Sequence, residues 1–259
     1  MGVRLRRAVP VLPALLWCAV TVLADEGVLT LGTGVDYSTG KYGGSVATDI
    51  LYVPLFAKYE SEPWLFKLTV PWLQITAPQG TVIVDGQPLS PTGSGKRTRN
   101  AGMGDVTAAA GRTVLDLASQ RLIVDLVGKI KFPTADKDKG LGTGEYDYAL
   151  QADVVKAIEK VSLFGTAGYR WVGSSQEFPL HNVWYGSIGA SGKVLADTSV
   201  GLAYDYRQAA SDGSDAQSEI SVFLTQRLGS RFKAQLYGVA GLSDGSPDWG
   251  TGLMLSTSW

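Results

Sequence analysis

Cysteine and histidine are almost missing from this sequence, which contains one of each in 259 residues. Cys18 lies in an N-terminal segment that we expect to be removed, so the mature chain is predicted to have no disulfide and no cysteine metal site. The single histidine, His181, excludes a histidine-cluster metal site. We therefore predict neither a metal nor a cofactor.

Long apolar runs are missing as well. After residue 24, no stretch approaches the roughly 20 apolar residues that a transmembrane helix requires, so any membrane crossing has to use strands. Charge of one sign is not in excess either, because the sequence contains 23 Lys and Arg residues and 24 Asp and Glu residues. Nucleic-acid-binding proteins carry a basic stripe, and this balance predicts no nucleic-acid partner.

Residues 1–24 are predicted to be a cleaved signal peptide. Arg4, Arg6 and Arg7 precede an apolar stretch that two prolines interrupt, and Ala24 supplies a small residue before the cleavage site. A permanent anchor helix would be longer and free of prolines. The expected mature protein is a single domain, residues 25–259.

The C-terminal residues alternate strictly between two faces. Trp249, Leu253, Leu255 and Trp259 share one face, whereas glycine, serine and Met254 occupy the other. Trp rings at both ends of an apolar face are typical of a membrane-crossing strand, because they settle at the two lipid–water interfaces. Trp259 is therefore predicted to be a membrane insertion signal, and the last strand to contact the barrel-assembly machinery.

The same alternation recurs in about twelve segments, each near the roughly 9–11 residues that a tilted membrane strand needs. Short turns alternate with longer loops rich in Gly, Ser, Pro and Asp, as in bacterial outer-membrane barrels. The sequence predicts an all-β fold, a single transmembrane antiparallel β-barrel in a Gram-negative outer membrane, in contact with outer-membrane lipid and lipopolysaccharide. The predicted strands are 28–38, 48–59, 64–75, 103–115, 121–132, 146–158, 161–173, 183–195, 199–208, 218–228, 231–242 and 249–259.

Two basic residues disagree with strict alternation. Arg112 and Lys156 fall on the lipid face near the periplasmic ends of their strands. Either their long side chains reach the interface, or a bulge shifts the register there. A soluble β-sandwich alternates too, but the signal peptide, the loop asymmetry and the aromatic strand ends favour the barrel.

Four short motifs occur in order between residues 100 and 173. They are Gly102-Met103-Gly104-Asp105-Val106, the segment from Gly128 to Thr134, Leu141-Gly142-Thr143-Gly144 followed by Asp147, and Gly168-Tyr169-Arg170. Together they resemble the transporter-like outer-membrane barrel family named MetA-pathway of phenol degradation. The resemblance implies uptake of aromatic or other hydrophobic small molecules, and it carries over no catalytic residues.

Charged residues recur on the face opposite the apolar one and are predicted to line a polar lumen. They either set a preference among solutes, as charged rings do in channels, or pair across neighbouring strands and brace a narrow barrel. Twelve strands lie between the filled size of about 8 strands and the open size of about 16. The candidates are Asp36, Lys58, Lys67, Asp105, Arg121, Asp125, Lys129, Lys131, Asp147, Asp153, Arg170, Lys193, Asp205, Arg207, Glu219, Arg227 and Lys233.

Aromatic side chains are also predicted to point into the lumen, as candidates for binding an apolar ligand. They either form a slide for an aromatic solute or fill space. The candidates are Tyr52, Phe56, Phe164, Phe223 and Tyr237.

Two long loops leave alternatives open. Residues 133–145, where Asp and Lys alternate, either bind a divalent ion or lipopolysaccharide or form a solvated loop. Residues 76–102 either fold into the lumen as a constriction or lie over the anionic outer leaflet.

Catalysis is a further alternative, because outer-membrane barrels include lipid hydrolases that use Ser and His. Such an enzyme needs its histidine within hydrogen-bond reach of a serine, and Ser174, Ser175 and Ser187 are near His181 in the sequence. No pattern places one of them beside it, so we expect no enzyme. The predicted function is passage or binding of small molecules, and the alternative is a structural or surface-interaction barrel with a plugged lumen.

Overall fold

Fifteen β-strands make up most of the computed structural model, which describes residues 27–84, 86–89 and 95–259. The predicted signal peptide, with Cys18, lies outside the described residues. The strands are β1 (Val28–Gly40), β2 (Thr48–Ser61), β3 (Trp64–Pro78), β4 (Val82–Val84), β5 (Gln87–Leu89), β6 (Arg97–Met103), β7 (Val106–Leu117), β8 (Leu122–Phe132), β9 (Asp147–Ile158), β10 (Val161–Trp171), β11 (Val183–Lys193), β12 (Thr198–Arg207), β13 (Gln217–Leu228), β14 (Phe232–Gly241) and β15 (Trp249–Ser258).

The strands close into one antiparallel barrel with twelve positions around its wall. Closure joins β1 to β15, where Leu29 and Trp259 exchange backbone hydrogen bonds of 3.0 and 2.9 Å. β6 and β7 share one position in the wall, because both pair with β3, on either side of Gly104 and Asp105. β4 and β5 form a separate two-stranded sheet. The predicted barrel of about twelve strands is confirmed.

The outer face of the barrel is an apolar belt. Leu55 and Ile188 expose 62% and 68% of their surface on it, and a contiguous apolar surface of this kind marks contact with lipid or with another protein. Trp64 is the first residue of β3 and Trp184 is the second residue of β11, and these two strand starts lie at opposite ends of the barrel. Aromatic residues at both edges of an apolar belt are typical of membrane barrels. No helix in the described part of the chain is long and apolar enough to span a membrane.

Connections differ in length between the two ends. Residues 159–160 join β9 to β10, whereas residues 172–182 join β10 to β11. Outer-membrane barrels have short turns on the periplasmic side and long loops outside the cell. We therefore call the barrel end with the short turns periplasmic and the end with the long loops extracellular.

Arg112 and Lys156 both point outward near the periplasmic end, and both are exposed. The guanidinium carbon of Arg112 lies 5.3 Å from the ring centroid of Trp64, at the edge of the apolar belt. The strand register does shift between Thr113 and Leu115, but Arg112 precedes the shift. Of the two alternatives, the structure therefore favours side chains that reach the interface.

The segment predicted as one long loop, 76–102, is partly strand. β3 continues to Pro78, and β6 pairs with it from Arg97 onward. These two strands therefore continue the wall on the extracellular side beyond the start of β7. The hairpin of β4 and β5, which we call the roof hairpin, connects them.

Candidate ligand-binding cavity in the lumen

Aromatic rings on the inner wall lie over glycines of the neighbouring strand. Phe223 on β13 pairs with Gly201 on β12, and a Cβ placed on Gly201 would come within 2.1 Å of the ring atom Cζ of Phe223. Only glycine leaves room for such a close approach. The same cross-strand relationship recurs for Phe56 with Gly32, Phe164 with Gly189, Tyr185 with Gly168 and Tyr237 with Gly252. The rings therefore follow the wall instead of crossing the lumen.

Four of these rings form one buried cluster inside the barrel. We call the cluster the apolar layer; it contains Phe56, Phe164, Ala203, Phe223, Tyr237 and Met254. The ring centroids of Phe164 and Phe223 are 6.5 Å apart. Tyr52, the fifth aromatic candidate, packs instead against a second buried cluster nearer the extracellular end.

A cavity of about 280 Å³ lies in the lumen between the apolar layer and the roof hairpin. Phe56 and Met254 line it from the layer, and Ile83 and Gln87 line it from the hairpin. Ligand pockets in proteins usually measure roughly 300–1,000 Å³. The cavity therefore suits a small molecule of about one ring.

The roof hairpin is attached on both sides of the extracellular mouth. Ile83 packs with Leu141 in the second buried cluster, and its backbone N–H donates to the carbonyl oxygen of Gly140 at 2.9 Å. On the other side, the amide Nε2 of Gln87 donates to the carbonyl oxygen of Gly245 at 2.9 Å. Of the two alternatives for loop 76–102, these contacts favour a constriction of the lumen.

Nine charged side chains in the described part of the chain line the cavity. Among them, the ammonium of Lys131 forms ion pairs with Asp105 at 3.3 Å and with Asp147 at 3.1 Å. The basic residues are Lys67, Lys129, Lys131 and Arg170, and the acidic residues are Asp36, Asp105, Asp147, Asp205 and Glu219. Lumen lining and pairing across strands therefore both occur.

Lys67 and Lys129 form a basic wall of the cavity. The ammonium of Lys67 lies 4.9 Å from the ring centroid of Phe56. Lys129 is 7% exposed, its ammonium lies 5.6 Å from the ring centroid of Tyr185, and it has no hydrogen-bond partner among the described protein groups. Both ammoniums thus face aromatic rings.

Asp205 and Glu219 form an acidic side. They are direct partners on β12 and β13, across the barrel from β3 and β8, which carry the two lysines. Asp36 lies nearby and accepts a hydrogen bond from the hydroxyl of Tyr237. The cavity is therefore polarised between a basic and an acidic wall.

Other predicted lumen residues point inward outside this cavity. Lys58 pairs with Glu60 at 2.8 Å. Asp153 accepts hydrogen bonds from the amide of Gln151 and, at 2.6 Å, from the hydroxyl of Thr166. Asp125 is buried, and Arg207 and Lys233 are partly buried on the inner face, whereas Lys193 and Arg227 are exposed at the periplasmic ends of their strands.

Arg121, which is predicted to line the lumen, lies outside the strands of the barrel wall. Arg121 lies in the turn before β8, where a short 3-10 helix, residues 118–120, ends with Arg121 at φ 50°. The side chain is exposed, and β8 begins only at Leu122.

Sequence reasoning missed Tyr185. The charged groups of Lys129 and Arg170 lie 5.6 and 5.5 Å from the centroid of its ring. Its hydroxyl donates to the Oε1 of Gln151 at 2.9 Å. Its glycine partner, Gly168, is visible in the sequence, but the pairing of β10 with β11 has to be known before the relationship can be recognised.

His181 lies in the extracellular loop between β10 and β11 and is half exposed. Its Nε2 is 3.0 Å from the Oδ1 of Asp212, a fully exposed residue. The hydroxyls of Ser174 and Ser175 are engaged by the backbone of Phe178 and Leu180 within the same loop. Ser187 lies within β11. The described residues therefore contain no hydrogen-bonded Ser–His pair.

The charged loop 133–145 uses its acidic residue as a local cap. The Oδ1 of Asp136 accepts the backbone N–H groups of Asp138 and Lys139, and its Oδ2 pairs with the ammonium of Lys139 at 3.0 Å. These interactions with Lys139 hold the pKa of Asp136 below its ordinary value. Among the described residues, no cluster of His, Cys, Asp or Glu is arranged to hold a metal ion. The solvated alternative is favoured.

Known proteins resemble this chain in fold. No protein-family model matches it, and no curated protein matches its sequence. The NanC porin is 10% identical, with a TM-score of 0.57 and coverage of 88% of this chain and 98% of the porin. The KdgM porin is 8% identical, with a TM-score of 0.52 and coverage of 89% and 98%. The translocator domain of the autotransporter NalP from Neisseria meningitidis is 9% identical, with a TM-score of 0.51 and coverage of 91% and 88%. At these identities the likeness concerns the fold, which is that of outer-membrane barrels.

Proposed function

We propose that this barrel is an outer-membrane channel that binds small molecules in its lumen and passes them across the membrane. The observation that carries the proposal is the cavity between the apolar layer and the roof hairpin, lined by both charged and apolar side chains. Pockets with an apolar lining and a few polar groups that fix orientation are the usual form of small-molecule sites. Aromatic rings that follow the wall leave room for such a site.

The resemblance to the MetA-pathway family directs the proposal towards aromatic or other hydrophobic solutes. Phe56, Tyr52 and Met254 line the cavity and offer such a solute an apolar surface. The proposal includes cleavage of the signal peptide at residue 24 and assembly into the outer membrane through the C-terminal strand. It also includes contact of the apolar belt with outer-membrane lipid and lipopolysaccharide.

The test is the ion conductance of purified, refolded residues 25–259 in a planar bilayer, with and without benzoate or phenol. We expect discrete openings that the aromatic solute partly blocks. Heat-modifiable migration on a gel establishes in parallel that the protein is folded. A bilayer that stays sealed with folded protein would contradict the proposal.

The second candidate is a structural or surface-interaction barrel with a plugged lumen. The roof hairpin favours it, because the hairpin is attached on both sides of the mouth. The two candidates differ in the bilayer measurement, where a plugged barrel remains closed at every voltage.

We also propose that the barrel is not a lipid hydrolase. The Nε2 of His181 contacts the exposed carboxylate of Asp212, and this contact does not place the imidazole beside a serine that could act as a nucleophile. The variant His181→Ala should leave any lipid hydrolysis by the purified protein unchanged. Loss of a measurable hydrolase activity in this variant would overturn the proposal.

A further inference from the structure

We propose that Lys67 and Lys129 bind the carboxylate of a small aromatic monocarboxylic acid whose ring lies on the apolar layer. The proposal rests on the proposed function, since it names the class of solute that the cavity accepts. Three features of the described residues support it: the environment of the two ammoniums, the apolar surface beside them and the acidic wall opposite.

The two ammoniums are placed to attract an anion. Lys67 on β3 and Lys129 on β8 flank β7 and point into the same cavity. The neighbouring charges that act on Lys67 are the like charges of Lys58 and Lys129. Like charges that line one cavity repel each other, and an anion bound beside both would offset that repulsion.

No described protein group donates or accepts a hydrogen bond with the ammonium of Lys129 in place of such an anion. Lys129 is nine-tenths buried, and its ammonium has no hydrogen-bond partner among the described protein groups. The nearby carboxylate of Asp153 attracts it but is already bonded by Gln151 and Thr166. A buried cation without a bonded anion is costly, so a ligand carboxylate would stabilise this arrangement.

The surface beside the lysines selects an apolar ring. Lys67 lies against the ring of Phe56, and both Phe56 and Met254 line the cavity from the apolar layer. A ring bound through its carboxylate would lie on these two side chains. A hydroxylated acid, such as a sugar acid, would have to bury its hydroxyl groups against them without partners, which is unfavourable.

The acidic wall limits the ligand to one negative charge. Asp205 and Glu219 are adjacent on β12 and β13, on the side of the cavity away from the lysines. A second carboxylate at the far end of an aromatic ring would approach them and be repelled. The cavity should therefore prefer benzoate over terephthalate.

The test is the equilibrium binding of benzoate to the refolded, detergent-solubilised barrel by titration calorimetry. Its neutral isostere benzamide, the dicarboxylate terephthalate and the sugar acid glucuronate serve as the comparison ligands. We expect benzoate to bind at least about tenfold more tightly than each of the three, the discrimination that one charged hydrogen bond provides.

Variants assign the binding to the two lysines. The double variant Lys67→Met/Lys129→Met should weaken benzoate binding by about tenfold or more, while benzamide binding stays the same. Lys67→Arg/Lys129→Arg retains both charges and should retain preference for benzoate over benzamide. Lys193→Met removes a lysine at the exposed periplasmic end of β11 and should have no effect. Heat-modifiable migration verifies folding of each variant.

Several results would overturn the inference. Equal affinity for benzoate and benzamide, or glucuronate binding as tight as benzoate, would exclude the site as described. Unchanged benzoate binding in the double methionine variant would place the anion elsewhere. The bilayer measurement separates this outcome from the proposed function. A barrel that conducts ions but does not bind benzoate would support the channel and contradict the benzoate site. A barrel that binds benzoate but does not conduct would support the site and contradict the channel.

Discussion

The amide of Gln87 in the roof hairpin donates a 2.9 Å hydrogen bond to the backbone carbonyl of Gly245 in the loop between β14 and β15. This bond joins two loops that are 158 residues apart in the chain and lie on different sides of the mouth. It complements the attachment of Ile83 on the side of Leu141. The position of the hairpin over the cavity therefore depends in part on one side chain.

The variant Gln87→Ala should open the mouth more often. A hydrogen bond of this kind contributes about 1 kcal/mol, so the population with a detached hairpin should rise about fivefold. Single-channel recordings should show a higher open probability or a larger conductance. Gln79→Ala is the control, because Gln79 is exposed in the same loop; identical traces for the two variants would contradict the role given to Gln87.

The variant Gly201→Ala should destabilise the barrel. The added methyl group would meet the ring of Phe223 at 2.1 Å and force it off the wall into the lumen, and overpacking of this kind costs about 1–3 kcal/mol. The denaturant midpoint of the folded, heat-modifiable form should fall, and the channel conductance should fall with it.

Gly238→Ala is the matched control for that substitution. The nearest heavy atom to a Cβ at Gly238 is 3.9 Å away, so this variant should behave like the unchanged protein. Equal destabilisation by both substitutions would mean that general glycine flexibility, and not the ring contact, explains the effect.

The variant Lys131→Met should destabilise the extracellular half of the barrel. It removes the shared partner of Asp105 and Asp147, which lie 3.3 and 3.1 Å from the ammonium, and it leaves two carboxylates close together. Breaking a buried ion pair from one side costs roughly 3–5 kcal/mol, and we expect about 3 because the site borders a cavity. Lys131→Arg should retain most of the stability in the same unfolding experiment; a loss as large as that of the methionine variant would argue against the charge as the cause.

Substitutions of Trp259 can separate assembly from closure of the barrel. Trp259→Ala keeps the two backbone hydrogen bonds to Leu29 and removes only the ring. We expect this variant to refold in detergent as the unchanged protein does, while its assembled fraction in cells falls several-fold. Deletion of Trp259 removes the backbone bonds as well and should impair both. Normal assembly of Trp259→Ala in cells would contradict its role as an insertion signal.

Strand alternation was sufficient to predict most of the barrel. In β8, for example, Leu126 and Ile130 face outward and Asp125 and Lys129 inward, as the sequence predicts, because a period of two assigns side chains to faces without knowledge of the partner strand. For Arg121 the alternation carries no information, because this residue lies in the turn between the 3-10 helix and β8.

The cavity could be predicted only in part. The sequence indicates that Lys67 and Phe56 point inward, but their contact depends on the pairing of β2 with β3. The roof hairpin was not predicted, because the segment from Val82 to Leu89 is short and no local pattern shows that it folds back over the lumen. Its position is set by contacts with Gly140 and Gly245, both distant in sequence.

The sequence by itself determined the class of fold, the number of strands, the lipid and lumen faces, and the placement of long and short connections. These properties follow from local periodicity and from turn-forming residues, which act over a few positions of the chain. The tertiary structure alone decided which rings lie over which glycines, that Lys67 and Lys129 line one cavity, and how the hairpin covers that cavity. Those relationships depend on strand register and barrel closure, through which residues far apart in sequence come within a few ångströms of each other.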